Sequence, residues 1–231
     1  MLSILAVVLL SYLIGSIPSS LWMGRIFFHL DIREHGSGNA GATNTFRILG
    51  WKAGTVVLLF DFGKGLLATT VISQLAWSIG TGPAELYSNW NPEAMIVIFA
   101  GVAAVIGHMF PVYAGFSGGK GAATACGMLY GIEPVSISIS LAVFLVVMVV
   151  TRYVSLGSII SSIIYPFSQL TMRYGFDWEI DGSVILFSSF IAFAIVIKHK
   201  GNIQRLLAGT ENRIQSFKPS AGKIGKNGDS Q

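Results

Sequence analysis

Long apolar runs dominate this chain and constrain its fold more than any other feature. A membrane-spanning helix needs roughly 20 predominantly apolar residues, because a helix rises about 1.5 Å per residue through about 30 Å of hydrocarbon. Runs of this kind occur at 1–30, 52–79, 94–112, 135–151, 154–172 and 183–198. The sequence therefore predicts an all-α integral membrane protein.

A further apolar segment, 121–132, is too short for an average bilayer. Small residues would let it cross if it packed closely against its neighbours: Ala122, Ala123, Ala125 and Gly127. We therefore expect seven membrane-spanning helices, or six if this segment only re-enters the membrane. Residues 1–214 are expected to form one polytopic domain, followed by a disordered, polar cytoplasmic tail at 215–231.

Composition agrees with a membrane environment. Hydrophobic residues make up 52% of the 231 residues and charged residues only 11%, whereas a soluble domain carries about 25% charged residues. These values exclude an ordinary cytosolic enzyme. Cys126 is the one cysteine, so an internal disulfide and a cysteine-built metal site are excluded.

The distribution of Lys and Arg predicts the orientation. If the first span runs from outside to inside, Arg25 and Lys64 lie within spans near the inner half and only Arg173 lies outside. The remaining cations are then cytoplasmic: Arg33, Arg47, Lys52, Lys120, Arg152, Lys198, Lys200, Arg205, Arg213, Lys218, Lys223 and Lys226. We predict an external N-terminus and a cytoplasmic C-terminus. The pI of about 9.3 then reflects anchoring to an anionic leaflet, and nucleic acid is not expected as a partner.

The first polar stretch on the predicted cytoplasmic side spans residues 35–47. Glycines among small polar residues can turn the backbone sharply and present N–H groups to an anion. Asn39, Thr43 and Arg47 are spaced i, i+4, i+8, so on a helix they would share one face. The alternative is a flexible connecting loop. The candidates are Gly36, Ser37, Gly38, Asn39, Thr43, Asn44 and Arg47.

The second polar stretch comprises Gly107 to Pro111 and Phe116 to Gly121, and it ends in Gly118-Gly119-Lys120-Gly121, predicted to open a helix. It combines unhindered N–H groups, a helix N-terminus and a lysine, which are features of phosphate sites. The Walker A spacing is absent. The alternative is a tight turn with a snorkelling lysine. His108, ten residues before Gly118, is expected to be a packing residue rather than a catalyst.

The third polar stretch runs from Lys198 to Arg213. His199 and Asn202 are spaced i, i+3 and would face the same way on a helix. Glu211 is expected to form an ion pair within this segment. The alternative is a basic interfacial segment that holds lipid headgroups.

Ionisable and polar residues also occur inside the apolar runs. Asp61 and Lys64 are spaced i, i+3, and such residues usually pair or line a polar cavity. We expect them to form a structural pair, with Lys64 adding positive potential for a substrate. Ser155 and Ser158 could extend the polar cavity, although serine in membrane helices often satisfies a backbone carbonyl.

Together these stretches favour an anionic substrate, with more than one phosphate, handled at the membrane boundary where a lipid tail can sit. The four scattered histidines supply no metal-ligand cluster, so neither a metal nor a cofactor is expected. A transporter of phosphorylated solutes is the main rival. Transporters tend to show inverted repeats, and no repeat is apparent here.

The motifs closely resemble those of the acyl-phosphate-dependent glycerol-3-phosphate acyltransferases, small multispanning bacterial enzymes often called PlsY. The resemblance covers residues 12 to 214. The matching residues are Gly15 to Pro18, Gly36 to Asn44 with Arg47, Asp61 to Gly65, Gly107 to Gly121, and His199 to Arg213.

This resemblance implies seven helices with a cytoplasmic site in a bacterial cell membrane, which is either an inner membrane or the sole plasma membrane. It implies acyl transfer from acyl phosphate to the C1 hydroxyl of glycerol 3-phosphate, and an upstream enzyme that forms acyl phosphate as a possible partner. Ser37 and Arg47 would be essential, the second motif would bind glycerol phosphate, and Glu211 would be structural. His199 and Asn202 would be active-site residues. Either His199 or the donor phosphate could accept the proton.

Overall fold

The computed structural model describes residues 2–78 and 91–213. Within these ranges all regular elements are helical, as the sequence predicts. The predicted polar tail, 215–231, lies outside the described residues. The chain divides into two compact units, which are described in turn.

Of the described residues, 2–78 and 95–132 form the first unit. A tight turn that ends at Pro18 separates α1 from α2, and a wider helical turn at Ala68–Ile72 joins α4 to α5. Short helical turns at Ile32–Glu34 and Val112–Ala114 precede the two glycine-rich loops. The helices are α1 (Leu2–Gly15), α2 (Ser19–Phe28), α3 (Ala42–Leu49), α4 (Trp51–Leu67), α5 (Leu75–Ser78), α6 (Pro92–Met109, whose first residues belong to the second unit) and α7 (Ala122–Ile132).

Of the described residues, 91–94 and 133–213 form the second unit. The carboxylate of Glu133 caps α8 by accepting from the amides of Val135 and Ser136, and Asp181 caps α10 in the same way. Such caps satisfy N-terminal amides that have no intrahelical acceptor. The helices are α8 (Pro134–Thr151), α9 (Val154–Gly175), α10 (Gly182–Lys198) and α11 (Lys200–Leu207). α9 packs against both α8 and α10.

Length and apolarity identify the helical stretches that can cross a bilayer. In the described residues, four qualify: Leu2–Phe28, Trp51–Ser78, Pro92–Ala114 and Pro134–Thr151. A fifth qualifies if α10 and α11, which meet at a bend of 56°, form one span. The predicted count of seven and the orientation of the termini stay predictions.

Close backbone contact holds the short helix α7 against α4. α7 has 11 residues and is therefore about 16 Å long, well short of the hydrocarbon core. A Cβ at Gly127 would collide with the carbonyl oxygen of Phe62, and one at Gly65 would collide with that of Thr124. Glycine at both positions lets the two backbones touch. The predicted close packing of this segment, with Gly127 in the contact, is therefore confirmed.

Candidate active site

Asn44 holds the loop that contains the first glycines. Its side chain is 1% exposed. Nδ2 donates to the carbonyl oxygens of Ile32 and His35, at 3.0 and 2.9 Å, and Oδ1 accepts from the amide of Ser37 at 3.0 Å. Both polar atoms of the side chain therefore have backbone partners within residues 32–37. Asn44 shapes this loop, and its amide is not presented to solvent as a substrate contact would be.

The loop is exposed at Gly36, Ser37 and Gly38 and buried at Ala40 and Gly41, and its backbone follows a path that requires glycine. We call residues 36–41 the first glycine loop. Gly36 and Gly38 have φ values of +65° and +71°, and a Cβ at Gly36 would collide with Asn44. Ser37 is exposed between them, and its hydroxyl has no hydrogen bond to the described residues. This geometry leaves the Ser37 hydroxyl available to a ligand.

Helix α3 carries part of the predicted polar face. The helix begins at Ala42, so Asn39 precedes it and does not share the face of Thr43 and Arg47. Both Thr43 and Arg47 are exposed. Arg47 forms no ion pair with any residue in the described ranges, so its guanidinium is available to an anion.

The second glycine loop, residues 118–121, opens α7 as predicted, but its amides are used differently. The Gly118 amide donates to the carbonyl of Met109 at 3.2 Å, and the Gly119 amide donates to that of His108 at 3.2 Å. The donors that remain include the first amides of α7, which have no intrahelical acceptor, and the Lys120 side chain. Lys120 is exposed and has no ion pair within the described part of the chain.

A buried charged cluster lies in the same unit. Asp61 is 1% exposed, and its Oδ1 accepts from Ser19 Oγ at 2.7 Å and lies 2.9 Å from Lys64 Nζ. Nδ1 of His108 lies 3.4 Å from the same oxygen. Lys64 also donates to the carbonyl of Ile17 at 2.8 Å. The predicted Asp61–Lys64 pair is confirmed, with two of the three Lys64 donors used within the protein.

Two spaces adjoin this cluster. A cavity of about 10 Å³, the size of one water, lies between the cluster and both glycine loops, where Ala40 and Gly119 are among its lining residues. An apolar groove of about 430 Å³ runs between α1 and α4. Both spaces are lined by Ile17, Ser19 and Lys64. The groove therefore meets the polar cluster that supports the loops.

In the second unit, the carboxylate of Glu211 accepts hydrogen bonds from Ser155 and from two residues of the third polar stretch. Its Oε1 accepts from Ser155 Oγ and Asn202 Nδ2, both at 2.9 Å. Its Oε2 accepts from Arg205 Nε at 2.7 Å, which is the expected ion pair. The hydrogen bond from Asn202, ahead of those from Ser155 and Arg205, lowers the pKa of Glu211 below its ordinary value. The hydroxyl of Ser155 and the amide nitrogen of Asn202 are therefore engaged.

His199 has a defined orientation. Its Nδ1 lies 2.8 Å from the carbonyl oxygen of Ile195, so Nδ1 carries a proton and Nε2 is left as the acceptor in the neutral ring. The ring is half-buried. Ser158, by contrast, donates to the carbonyl of Val154 at 3.0 Å, which is the structural use of a helical serine.

One ion cluster was not anticipated from the sequence. Asp31 pairs with Arg33 and Arg25, each at 2.8 Å, and the hydrogen bonds from Arg33 hold the pKa of Asp31 well below its usual range. Arg33 also donates to the carbonyl of Ala114 at 3.2 Å, which joins the segments before the two glycine loops. The Asp-x-Arg spacing was the available signal, but the contact with Ala114 spans 81 residues.

Comparison with known proteins assigns the chain to a family. A family model described as glycerol-3-phosphate acyltransferase matches residues 5–209. The chain belongs to the glycerol-3-phosphate acyltransferase family. It is an integral membrane acyltransferase, with the apolar helices that such a protein requires.

Relatives of this family match the chain over nearly its full length. A glycerol-3-phosphate acyltransferase of Salinibacter ruber is 44% identical over 98% of this chain and 99% of its own length. One from Chlorobaculum tepidum is 44% identical over 93% of this chain and 97% of its own.

Two solved structures of PlsY, an integral membrane glycerol 3-phosphate acyltransferase, are similar to this fold. The glycerol 3-phosphate form has a TM-score of 0.68 at 35% identity, covering 92% of this chain and 96% of that one. The lysophosphatidic acid form has a TM-score of 0.65 at 34% identity, covering 92% and 95%.

Proposed function

We propose that this protein transfers a fatty acyl group from acyl phosphate to the C1 hydroxyl of sn-glycerol 3-phosphate. The products are lysophosphatidic acid and inorganic phosphate. The observation that carries the proposal is that two exposed cations beside the glycine loops, Arg47 and Lys120, have no ion pair with the described residues and lie within the region matched by the family. The relatives' names and the ligands of the two PlsY structures support the choice of acceptor and product.

The reaction needs positioning more than a protein nucleophile. The hydroxyl oxygen attacks the carbonyl carbon, the bond from that carbon to the phosphate oxygen breaks, and phosphate leaves with the electron pair. Acyl phosphate is already activated, so the protein must hold two phosphates against their repulsion and align the hydroxyl. Such alignment can lower a barrier by about 7–11 kcal/mol.

We assign the phosphates to the two free cations. Arg47 can grip a phosphate through two parallel N–H groups, while Lys120 acts as a point charge at the start of α7, where unpaired amides also favour an anion. The Ser37 hydroxyl is the proposed donor to the oxyanion that forms at the carbonyl. Asn44 keeps Ser37 in place through the loop amide.

The groove between α1 and α4 is the proposed seat of the acyl chain. Its lining includes Ile14, Leu59 and Phe60, and it reaches Lys64. A fatty chain in this groove would leave its polar end beside the cluster that underlies both glycine loops. Gly63 also lines the groove, and a Cβ there would meet open space, which leaves room for a chain.

We assign His199 and Asn202 to the same reaction. The free Nε2 of His199 can accept a hydrogen bond from the acceptor hydroxyl, and the amide oxygen of Asn202 is left to accept another. The hydroxyl proton goes either to this Nε2 or to a phosphate oxygen of the donor. Glu211 holds Asn202 in place from the side.

The proposal extends to the cellular setting. We place this multi-pass protein in the bacterial inner membrane, with its glycine loops at the cytoplasmic face. An enzyme that forms acyl phosphate would supply the donor. Lysophosphatidic acid, once made, would remain in the bilayer.

Purified protein tests the reaction directly. With palmitoyl phosphate and glycerol 3-phosphate, we expect phosphate and lysophosphatidic acid in equal amounts, and neither product when glycerol 3-phosphate is omitted. Palmitoyl-coenzyme A in place of the acyl phosphate tests the donor class. Uptake of intact glycerol 3-phosphate into proteoliposomes without acylation would overturn the proposal in favour of transport.

A further inference from the structure

We propose that His108 is a positioning residue for the second glycine loop, with buried Asp61 holding its imidazole in place. The inference rests on the proposed function, because it concerns the loop that would carry Lys120 to the phosphate of glycerol 3-phosphate. It assigns a role to a buried histidine that the proposed reaction does not otherwise use.

Both the backbone carbonyl of His108 and the Nε2 edge of its ring contact the second glycine loop. Its backbone carbonyl accepts from the Gly119 amide at 3.2 Å. Its ring lies against Gly119 as well, because Nε2 of His108 and the carbonyl oxygen of Ala40 occupy the space where a Cβ would project. The ring therefore sets how closely the residue before Lys120 can approach the protein interior.

The other end of the ring is anchored in the buried cluster. Nδ1 lies 3.4 Å from Asp61 Oδ1, a contact at the outer limit of a hydrogen bond. The carboxylate is itself held by Ser19 from α2 and by Lys64 from α4. His108 is 7% exposed and Asp61 is 1% exposed, so the ring stands between a fixed carboxylate and the loop.

This arrangement resembles the outer-shell support of other binding sites. In metal sites, a histidine oriented by a carboxylate on one nitrogen presents its other nitrogen in a fixed direction, and loss of such support typically costs 10- to 100-fold in metal affinity or activity. Here the supported group is a loop backbone, and the expected consequence is a displaced Lys120. The affinity for glycerol 3-phosphate should change more than the chemical step.

Two variants separate the ends of the ring. His108→Asn keeps a nitrogen near the Nδ1 position but withdraws the edge that faces Gly119. His108→Gln places an amide near the Nε2 position but gives up the contact with Asp61. If the ring positions the second glycine loop, both variants should raise the KM for glycerol 3-phosphate roughly 10- to 100-fold. The KM for acyl phosphate and the kcat should stay within about twofold.

The matched control is His29→Asn. His29 is exposed and has a φ of 54°, a conformation that asparagine tolerates well. This variant should behave as wild type. Ser19→Ala, which keeps the ring but removes one donor to Asp61, should raise the same KM by a smaller factor.

A double variant tests whether the effect passes through Gly119. Gly119→Ala forces a methyl group against the His108 ring and should itself weaken glycerol 3-phosphate binding. Adding His108→Asn should then cause little further loss, because both changes displace the same loop. If the increases in KM of the two single variants multiply in the double variant, His108 does not act through Gly119, which would contradict the proposal.

The readouts distinguish this inference from the function on which it rests. Acyl transfer by the wild type, with unchanged KM for glycerol 3-phosphate in folded His108→Asn and His108→Gln, overturns the role of His108 alone. A loss of folded protein at unchanged KM does the same, since it shows a merely structural residue. If neither histidine variant folds, Ser19→Ala decides, and an unchanged KM there overturns the proposal. Absence of acyl transfer by the wild type overturns the proposed function first.

Discussion

The polar groups of the two units are used in opposite ways. In the first unit, Arg47 and Lys120 are exposed and form no ion pair with described residues, while buried side chains hold the loops beneath them. In the second unit, a single carboxylate, Glu211, takes up hydrogen bonds from Ser155, Asn202 and Arg205. A cation without an ion pair can bind an anionic substrate without first breaking a bond within the protein. A carboxylate whose oxygens already accept hydrogen bonds mainly holds its partner side chains in position. The comparison therefore predicts that activity depends on positive charge in the first unit and on correctly placed side chains in the second.

The largest effect is expected at the free cations. Arg47→Ala and Lys120→Ala should each lower turnover about 1,000-fold or more, because each removes charge-assisted bonds to a phosphate. The folded fraction should not change, since neither side chain supports other described residues. Turnover with acyl phosphate and the elution profile of the purified variants measure the two quantities. Lys52→Ala, which removes an exposed lysine that lies 6.0 Å from the Trp51 ring, is the control; wild-type turnover in Arg47→Ala would end the assignment.

A smaller but distinctive effect is expected at His199. If Nε2 accepts the hydroxyl proton, His199→Gln should lower kcat/KM about 100-fold. It should also flatten the acidic limb of the pH–rate profile, because a base works only when unprotonated. Steady-state rates from pH 5 to 9 provide the measurement. An unchanged limb with a loss confined to KM would assign the proton to the donor phosphate and leave His199 an orienting role.

The Glu211 network should make the second unit sensitive to acid. The native pKa of Glu211 is lowered from its ordinary value of 4.5. Its stabilising contribution is therefore fully present above about pH 4.5 and is lost as the pH falls through the lowered native pKa. The protection of residues 199–213 against hydrogen exchange, relative to the intrinsic rate at each pH, should fall in that range. In Glu211→Gln the exchange should already be fast at pH 7 and show no step in that range; protection equal to wild type would contradict the structural role.

The smallest effect is expected at Arg205. Its ion pair with Glu211 is short, but the Arg205 side chain is 46% exposed, and exposed pairs contribute little. Arg205→Ala should change kcat/KM by about fivefold or less, since Ser155 and Asn202 still hold the carboxylate. A loss comparable to that of Arg47→Ala would show that this cation also binds substrate, and would remove the contrast between the units.

Local patterns in the sequence predicted much of the helical fold and the loops. Within the part of the chain that the structure describes, the apolar runs fall mostly on helices, and the glycines of 121–132 allow the contact with α4 through Gly127. The Gly-Gly-Lys-Gly motif opens α7 as expected. These features depend on residues close together in the chain, so spacing alone reports them.

Contacts between distant residues were harder to predict. Ser19 donates a hydrogen bond to Asp61, which lies 42 residues later in the sequence. His108 joins the same cluster from another helix, so no short sequence motif indicates these contacts. Asn44 faces inward because α3 begins at Ala42, which also leaves Asn39 outside the helix. The amides of Gly118 and Gly119 bind carbonyls of residues 109 and 108, a use that composition cannot distinguish from anion binding.

Calorimetric titration of the detergent-solubilised protein with glycerol 3-phosphate, in the absence of any acyl donor, tests the free cations most directly. Saturable binding is expected for the wild type and for Glu211→Gln at pH 7, and its loss is expected in Lys120→Ala. Binding of wild-type strength in Lys120→Ala would contradict the account.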